Sequence, residues 1–113
     1  MFTDESTLVA AAKLLRRYHD CLRGYIAPED TPWRMVAPVE HEVICHNDWS
    51  PSNALFRGHE PVAMLDWDGA GPGNRAWDVA IAAYWWVPLH LTDAQPDLPS
   101  KALRFGVVLR RVR

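Results

Sequence analysis

At 113 residues, with 49% hydrophobic residues and six tryptophans, the chain has the composition of one globular domain at most, not of a disordered segment. A domain of this length buries roughly 60–70% of the surface its unfolded chain exposes, enough for one core. The formal net charge of −2 excludes nucleic acid as the default partner, because there is no basic excess to meet phosphate.

Met1 to Thr7 carries two acids and no basic residue, so it does not read as a signal peptide. Residues 4–23 read as an amphipathic helix with Leu8, Ala12, Leu15, His19 and Leu22 on one face. Thr3 is the expected N-cap, Asp4 and Glu5 suit the first turn, and Gly24 is the stop. His19 on the apolar face reads as a hydrogen-bonded packing residue rather than a ligand. Tyr25 to Pro38 holds three prolines and no period, which predicts a loop.

Val43 to Cys45 is a short apolar strand, and the polar run 46–53 after it breaks any regular element. Ala54 to Arg57 and Val62 to Leu65 read as paired strands around a four-residue loop, Gly58 to Pro61. The glycine-rich stretch Gly69 to Gly73 reads as a link, without the spacing of a phosphate cradle. Asn74 then caps a helix over 75–87, apolar nearly all the way round and ended by Pro88. The longest mostly apolar run, Ala76 to Leu89, contains Asp78 and is too short to span a bilayer. With no leader and no span, the expected compartment is the cytoplasm.

A last helix over 100–112 is expected to bury Ala102, Phe105, Leu109 and Val112. Five basic residues and no acid lie from Lys101 to Arg113, read first as a solvated helix face and second as a membrane-surface or partner-docking patch. Cys21 in the first helix and Cys45 in the strand read as two buried, reduced thiols, and no Cys/His spacing suggests zinc.

A four-residue hairpin loop pairs Arg57 with Val62, Leu55 with Met64, and Asn53 with Asp66. Opposed residues have Cβ atoms ~4.5–5.5 Å apart. The amide oxygen of Asn53 and the carboxylate of Asp66 then meet at the open end of the hairpin, a donor pair that suits a hard cation such as Mg²⁺. Asp48, on the preceding loop, can approach the same point. Singly, these three residues are ordinary turn formers; the register sets them apart. Asp68 reads equally well as a solvated acid, and Asp78 as a first-turn acid that complements the helix dipole.

His46-x-Asp48-x-x-x-x-Asn53 resembles the catalytic loop of kinase-like phosphotransferases of the aminoglycoside phosphotransferase and choline kinase type. Leu65-Asp66-Trp67-Asp68-Gly69 is similar to the Asp-containing triplet that follows it in that family. Ala76-Trp77-Asp78-Val79-Ala80 looks like the start of the family's buried helix, and Leu14 to His19 like the helix before the loop. The resemblance covers roughly residues 4–90.

It implies an α+β fold: the mostly helical C-terminal lobe of a protein-kinase-like domain, with catalytic loop 46–53, hairpin 54–66, buried helix 75–87 and basic tail helix 100–112 in one partial domain, 1–113. It implies an enzyme that transfers phosphate from ATP (or GTP), with Mg²⁺, to a hydroxyl of a small molecule. Asp48 would accept or orient the hydroxyl proton, and Asn53 and Asp66 would hold the metal. His46 would support the loop, and a buried, ionised Asp78 would accept its backbone N–H groups.

The chain departs from the family in one large respect. Its two lysines, Lys13 and Lys101, lie outside apolar strands, and no glycine-rich loop between strands precedes residue 46. The N-terminal ATP lobe is therefore expected to be absent, leaving a truncated form with little activity alone and an apolar surface open to self-association. A fragment or mis-started gene, a degenerate remnant, and a lobe supplied by another chain all fit. The alternative to an enzyme is a non-catalytic kinase-like binding or immunity module; a metal-dependent hydrolase built on His46 and Asp48 is a third reading.

Overall fold

The structure, a computed structural model, describes residues 4–88 and 98–112. Helix α1 (Glu5–Cys21) is followed by strands β1 (Val43–Cys45), β2 (Ala54–Arg57), β3 (Glu60–Met64) and β4 (Gly71–Gly73), then helices α2 (Arg75–Trp86) and α3 (Leu98–Val112). The strands form two antiparallel pairs, β1 with β4 and β2 with β3. The result is a small α+β fold. Among the described residues no helix is long and apolar enough to cross a membrane.

α1 starts at Asp4, whose carbonyl accepts Leu8 N–H at 3.0 Å; Thr3 lies outside the described residues. Its inward face buries Leu8, Ala11, Ala12, Leu15 and His19. Opposite them stand Trp49, Val79, Ala82, Ala83 and Trp86, with Val107 and Val108 closing the core from α3. Trp49 is fully buried, donates its indole N–H to Ala11 O at 3.1 Å, and has its ring 5.2 Å from that of Trp86. This aromatic pair joins the loop after β1 to both flanking helices, each ring removing a large apolar area from water.

The hairpin differs from its expected register. The loop is two residues, Gly58 and His59, with Arg57 opposite Glu60 and Phe56 opposite Pro61, and a bulge between Leu55 and Phe56 realigns Leu55 with Ala63. Gly58 takes φ +62°, the left-handed backbone that tight two-residue turns need. Pro61, which has no N–H to give the ladder, sits beside the bulge. Asn53 consequently opposes Leu65, whose N–H it accepts at 2.8 Å, and not Asp66.

The glycine-rich link is a strand. Gly71 and Gly73 face Cys45 and Val43, and Pro72 O accepts Ala37 N–H on the other side at 3.0 Å. A Cβ on Gly71 would sit 1.7 Å from Met35 O, and one on Gly73 2.8 Å from Cys45 Sγ. These glycines are required because two segments approach the strand at backbone distance.

α2 begins at Asn74, whose side chain accepts Trp77 N–H at 2.8 Å. It is one-sided and not enclosed: Asp78, Val79, Ala82, Ala83 and Trp86 are buried, while Ala80 and Tyr84 are exposed. α3 is rotated from its expected face. Lys101, Val107 and Val108 are buried, Phe105 and Val112 pack at the margin, and Ala102 and Leu109 face solvent. Arg104 sets this rotation by donating to Trp86 O and Val87 O, both at 2.8 Å, where unpaired carbonyls end α2. The basic run is thus only partly a solvated face. Cys45 is buried, but Cys21 is exposed, and both are free thiols.

Two outcomes test this packing. Gly71→Ala should lower the unfolding free energy by about 1–3 kcal/mol in urea denaturation, whereas Gly69→Ala, with open space around its Cβ, should be near neutral; equal effects would refute the close approach of Met35. Burial, then the charge of Asp78, raises the Cys45 thiol from 9.0 to about 12. Its contribution to stability is therefore complete below pH 9.0 and is lost as pH rises through about 12. In the native chain Cys21 should alkylate quickly at mild pH and Cys45 only after denaturation, as read by mass spectrometry.

Candidate active site

The loop between β1 and β2 is built onto one buried carboxylate. Asp78, in the first turn of α2, is fully buried. Its Oδ2 accepts His46 N–H at 2.9 Å and its Oδ1 accepts Asn47 N–H at 3.0 Å. His19, 2% exposed on α1, brings Nε2 to Asp78 Oδ2 at 2.8 Å. Three partners from two other elements replace the water that Asp78 loses. Burial, and after it the nearby charge of Asp78, pushes the Tyr18 phenol above its ordinary range, so Tyr18 stays a neutral donor, to Ile44 O.

From that anchor a closed ring of hydrogen bonds runs through four residues. Asp48 N–H donates to His46 Nδ1 at 3.1 Å, and His46 Nε2 meets Leu65 O at 2.8 Å. Since Nδ1 accepts, Nε2 carries the proton, which fixes the tautomer. Leu65 N–H returns to Asn53 O at 2.8 Å. Asn53 Nδ2 then donates to Asp48 O at 2.9 Å and to Asp48 Oδ2 at 2.8 Å. The ring holds Asp48 by its backbone N–H, its carbonyl and one carboxylate oxygen. Asp48 Oδ1 and Asn53 Oδ1 remain without partners among the described residues. With both nitrogens of His46 occupied inside the protein, that side chain is not a metal ligand, which removes the basis of the hydrolase reading.

Asp66 follows Leu65 directly and is therefore next to the ring, but its side chain bonds to neither Asp48 nor Asn53 among the described residues. Its backbone has φ +59°, a conformation that non-glycine residues adopt rarely and at a cost of about 1–3 kcal/mol. This turn, rather than the strand ladder, sets the direction of the carboxylate. Oδ1 accepts Asp68 N–H at a long 3.4 Å. Asp68 itself is exposed. Among the described residues no three His, Cys, Asp or Glu side chains gather as a metal-holding group.

Sequence reasoning passed over two residues. Asn47 also has a left-handed backbone, φ +70°; its Nδ2 donates to Gly69 O at 2.8 Å and its Oδ1 accepts Trp77 Nε1–H at 3.1 Å. It thereby ties the loop to the segment beyond Asp66 and to α2. Asn tolerates that backbone better than other side chains, and its place between His46 and Asp48 was the available signal. Trp67 lays its ring 4.5 Å from His46 and 4.9 Å from Tyr18, covering the imidazole that links Asp48 to Leu65. No local pattern predicts that contact.

The chain belongs to a phosphotransferase family: the model of the phosphotransferase enzyme family matches residues 3–98, a span that includes this loop, turn and braced helix. Among curated proteins it is similar to the trifolitoxin immunity protein of Rhizobium leguminosarum bv. trifolii, 34% identical over 85 residues, which are 71% of this chain and 31% of that protein. It is also 45% identical over 62 residues to an uncharacterized protein of Deinococcus radiodurans, covering 53% of this chain and 18% of the other. The chain thus spans less than a third of the length of either relative. No solved structure gives a significant match.

Asp78→Ala should cost about 3–5 kcal/mol of stability, because it strands a buried histidine and two backbone donors. Hydrogen exchange offers the sharper check: the His46 and Asn47 amides should be slow in the native chain and fast in the variant. Protection that survives the substitution would mean that the loop is braced elsewhere.

Proposed function

We propose that this chain is the catalytic core of a kinase-like C-terminal lobe that transfers phosphate from ATP or GTP to a hydroxyl of a small molecule. The observation that carries the reading is the hydrogen-bond ring, which immobilises Asp48 and leaves one oxygen each on Asp48 and Asn53 open. Asp48 Oδ1 accepts the proton of the substrate hydroxyl as the hydroxyl oxygen bonds to the terminal phosphorus and the bond to the leaving nucleotide breaks. Asn53 Nδ2 holds the other carboxylate oxygen, so Asp48 meets the hydroxyl in one orientation and little ordering is left to the reaction itself.

Asn53 Oδ1 and the Asp66 carboxylate are hard oxygen donors with coordination capacity to spare, and they fit Mg²⁺, which completes its shell with water and phosphate oxygens. When bound, Mg²⁺ supplies charge neutralisation on the phosphates. His46, Asn47 and Asp78 position the loop without touching substrate. The nucleotide-clamping lobe, with its glycine-rich loop and lysine, is supplied from outside this chain. The exposed apolar side chains of Tyr25, Ile26, Met35 and Val36 are consistent with a covering lobe or a second copy, and the chain acts in the cytoplasm.

A second reading draws on the immunity protein among the relatives: the fold retained as a binding or immunity module without turnover. Mn²⁺ in place of Mg²⁺ should broaden the nuclear magnetic resonance signals of the Asn53 side-chain amide and the Asp66 backbone amide first, and Asn53→Ala should abolish this selectivity. Uniform broadening would remove the metal site. In a protein of the relatives' full length, Asp48→Ala should slow nucleotide consumption on a panel of hydroxylated substrates by about 10²–10⁴-fold; equal rates would favour the immunity module.

A further inference from the structure

On the far side of α1 from the core, Lys13, Arg16 and Arg17 form one wall of an open groove of about 930 Å³. Arg57 and Glu60 at the β2–β3 turn form a second wall, and Arg110 and Arg111 near the end of α3 form the third. These cations come from three elements far apart in sequence, and all are exposed. Arg16 pairs with Asp20 at 3.7 Å. Lys13, Arg17, Arg57, Arg110 and Arg111 make no ion pair among the described residues.

Gathering like charges in one concavity works against folding, and the chain as a whole is slightly acidic, so this is not a general basic surplus. The arrangement is understandable if an anionic group enters. Guanidinium forks match carboxylates with two parallel hydrogen bonds. Glu5, Asp20 and Glu60 stand among the cations, which suits a ligand whose anionic groups are spaced along it over one of uniform charge such as a phosphate backbone. The lining also has no phenylalanine, tyrosine or tryptophan on which bases could stack. A flat anionic bilayer does not reach the floor of a groove. The lining also includes Val9, Ala10 and Pro61, small apolar surface among charged groups, as in a polar protein interface.

We propose that this groove docks an acidic polypeptide segment of a partner protein, its carboxylates engaging Arg17, Arg57, Arg110 and Arg111. None of Asp48, Asn53 and Asp66 lines the groove, so the docking site is separate from the phosphotransfer reading and does not depend on it.

The test uses the whole chain and a fluorescent peptide rich in Glu and Asp, followed by anisotropy. The peptide should bind, more weakly as salt is raised, and the double charge reversal Arg57→Glu with Arg110→Glu should weaken binding by about tenfold or more. Both positions are exposed, so the melting temperature should hardly change. Should the double variant misfold, amide shift mapping on the native chain gives the answer instead, with changes expected at 13–17, 57–61 and 110–111. Absence of binding, indifference to the charge reversal, shifts elsewhere, or tighter binding of a single-stranded oligonucleotide or of phosphatidylserine vesicles would each overturn the proposal.

Discussion

A carboxylate removed from water must find donors, and the placement of Asp78 organises this protein. Its two oxygens receive two successive backbone N–H groups of the loop and the ring of His19 from α1. The loop is thereby fixed to α2 and α1 at once. Because a buried charge left without partners costs several kcal/mol, the loop cannot drift from α2 without a large penalty. The left-handed backbone at Asn47 is held in the same way, since its amide side chain is engaged at both ends.

What Asp78 does for the start of the loop, His46 does for its working end. One imidazole joins the backbone of Asp48 to that of Leu65, and Asn53 closes the circuit from the other side. Each member of that ring is held by at least two hydrogen bonds, which is what makes a polar network specify one geometry instead of several. Phosphoryl transfer depends mostly on positioning and on charge, and a chain belonging to the phosphotransferase enzyme family has its candidate base held in this manner. The two open oxygens stand out because their surroundings are so fully paired.

Charge is also unevenly placed. The candidate active site is rich in acid and amide groups, whereas six cations collect on the outer face of α1, the hairpin turn and the end of α3, with Glu5, Asp20 and Glu60 among them. α1 lies between the two, with its inner face reaching Asp78 through His19 and its outer face carrying Lys13, Arg16 and Arg17. Arg104 has a different role from its neighbours in the tail: it spends its charge on the carbonyls that end α2, which fixes the rotation of α3 and leaves Arg110 and Arg111 outside.

By itself the sequence determined the helices α1 and α2, the strand Val43–Cys45, the cap at Asn74, and the order of three motifs that resemble a phosphotransferase. These follow from short-range causes: side-chain period, capping chemistry, glycine and proline punctuation, and residue types at fixed spacing. Tertiary structure decided the hairpin register, because the left-handed backbone at Gly58 and the bulge before Phe56 outweighed the loop length that composition suggested. It decided that Gly71–Gly73 is a strand, since only the approach of Met35 and Cys45 explains its glycines. It decided which face α3 buries, through Arg104, and that Cys21 stays in water. For the strand and for α3 the deciding partner lies many residues away, where no local pattern records it.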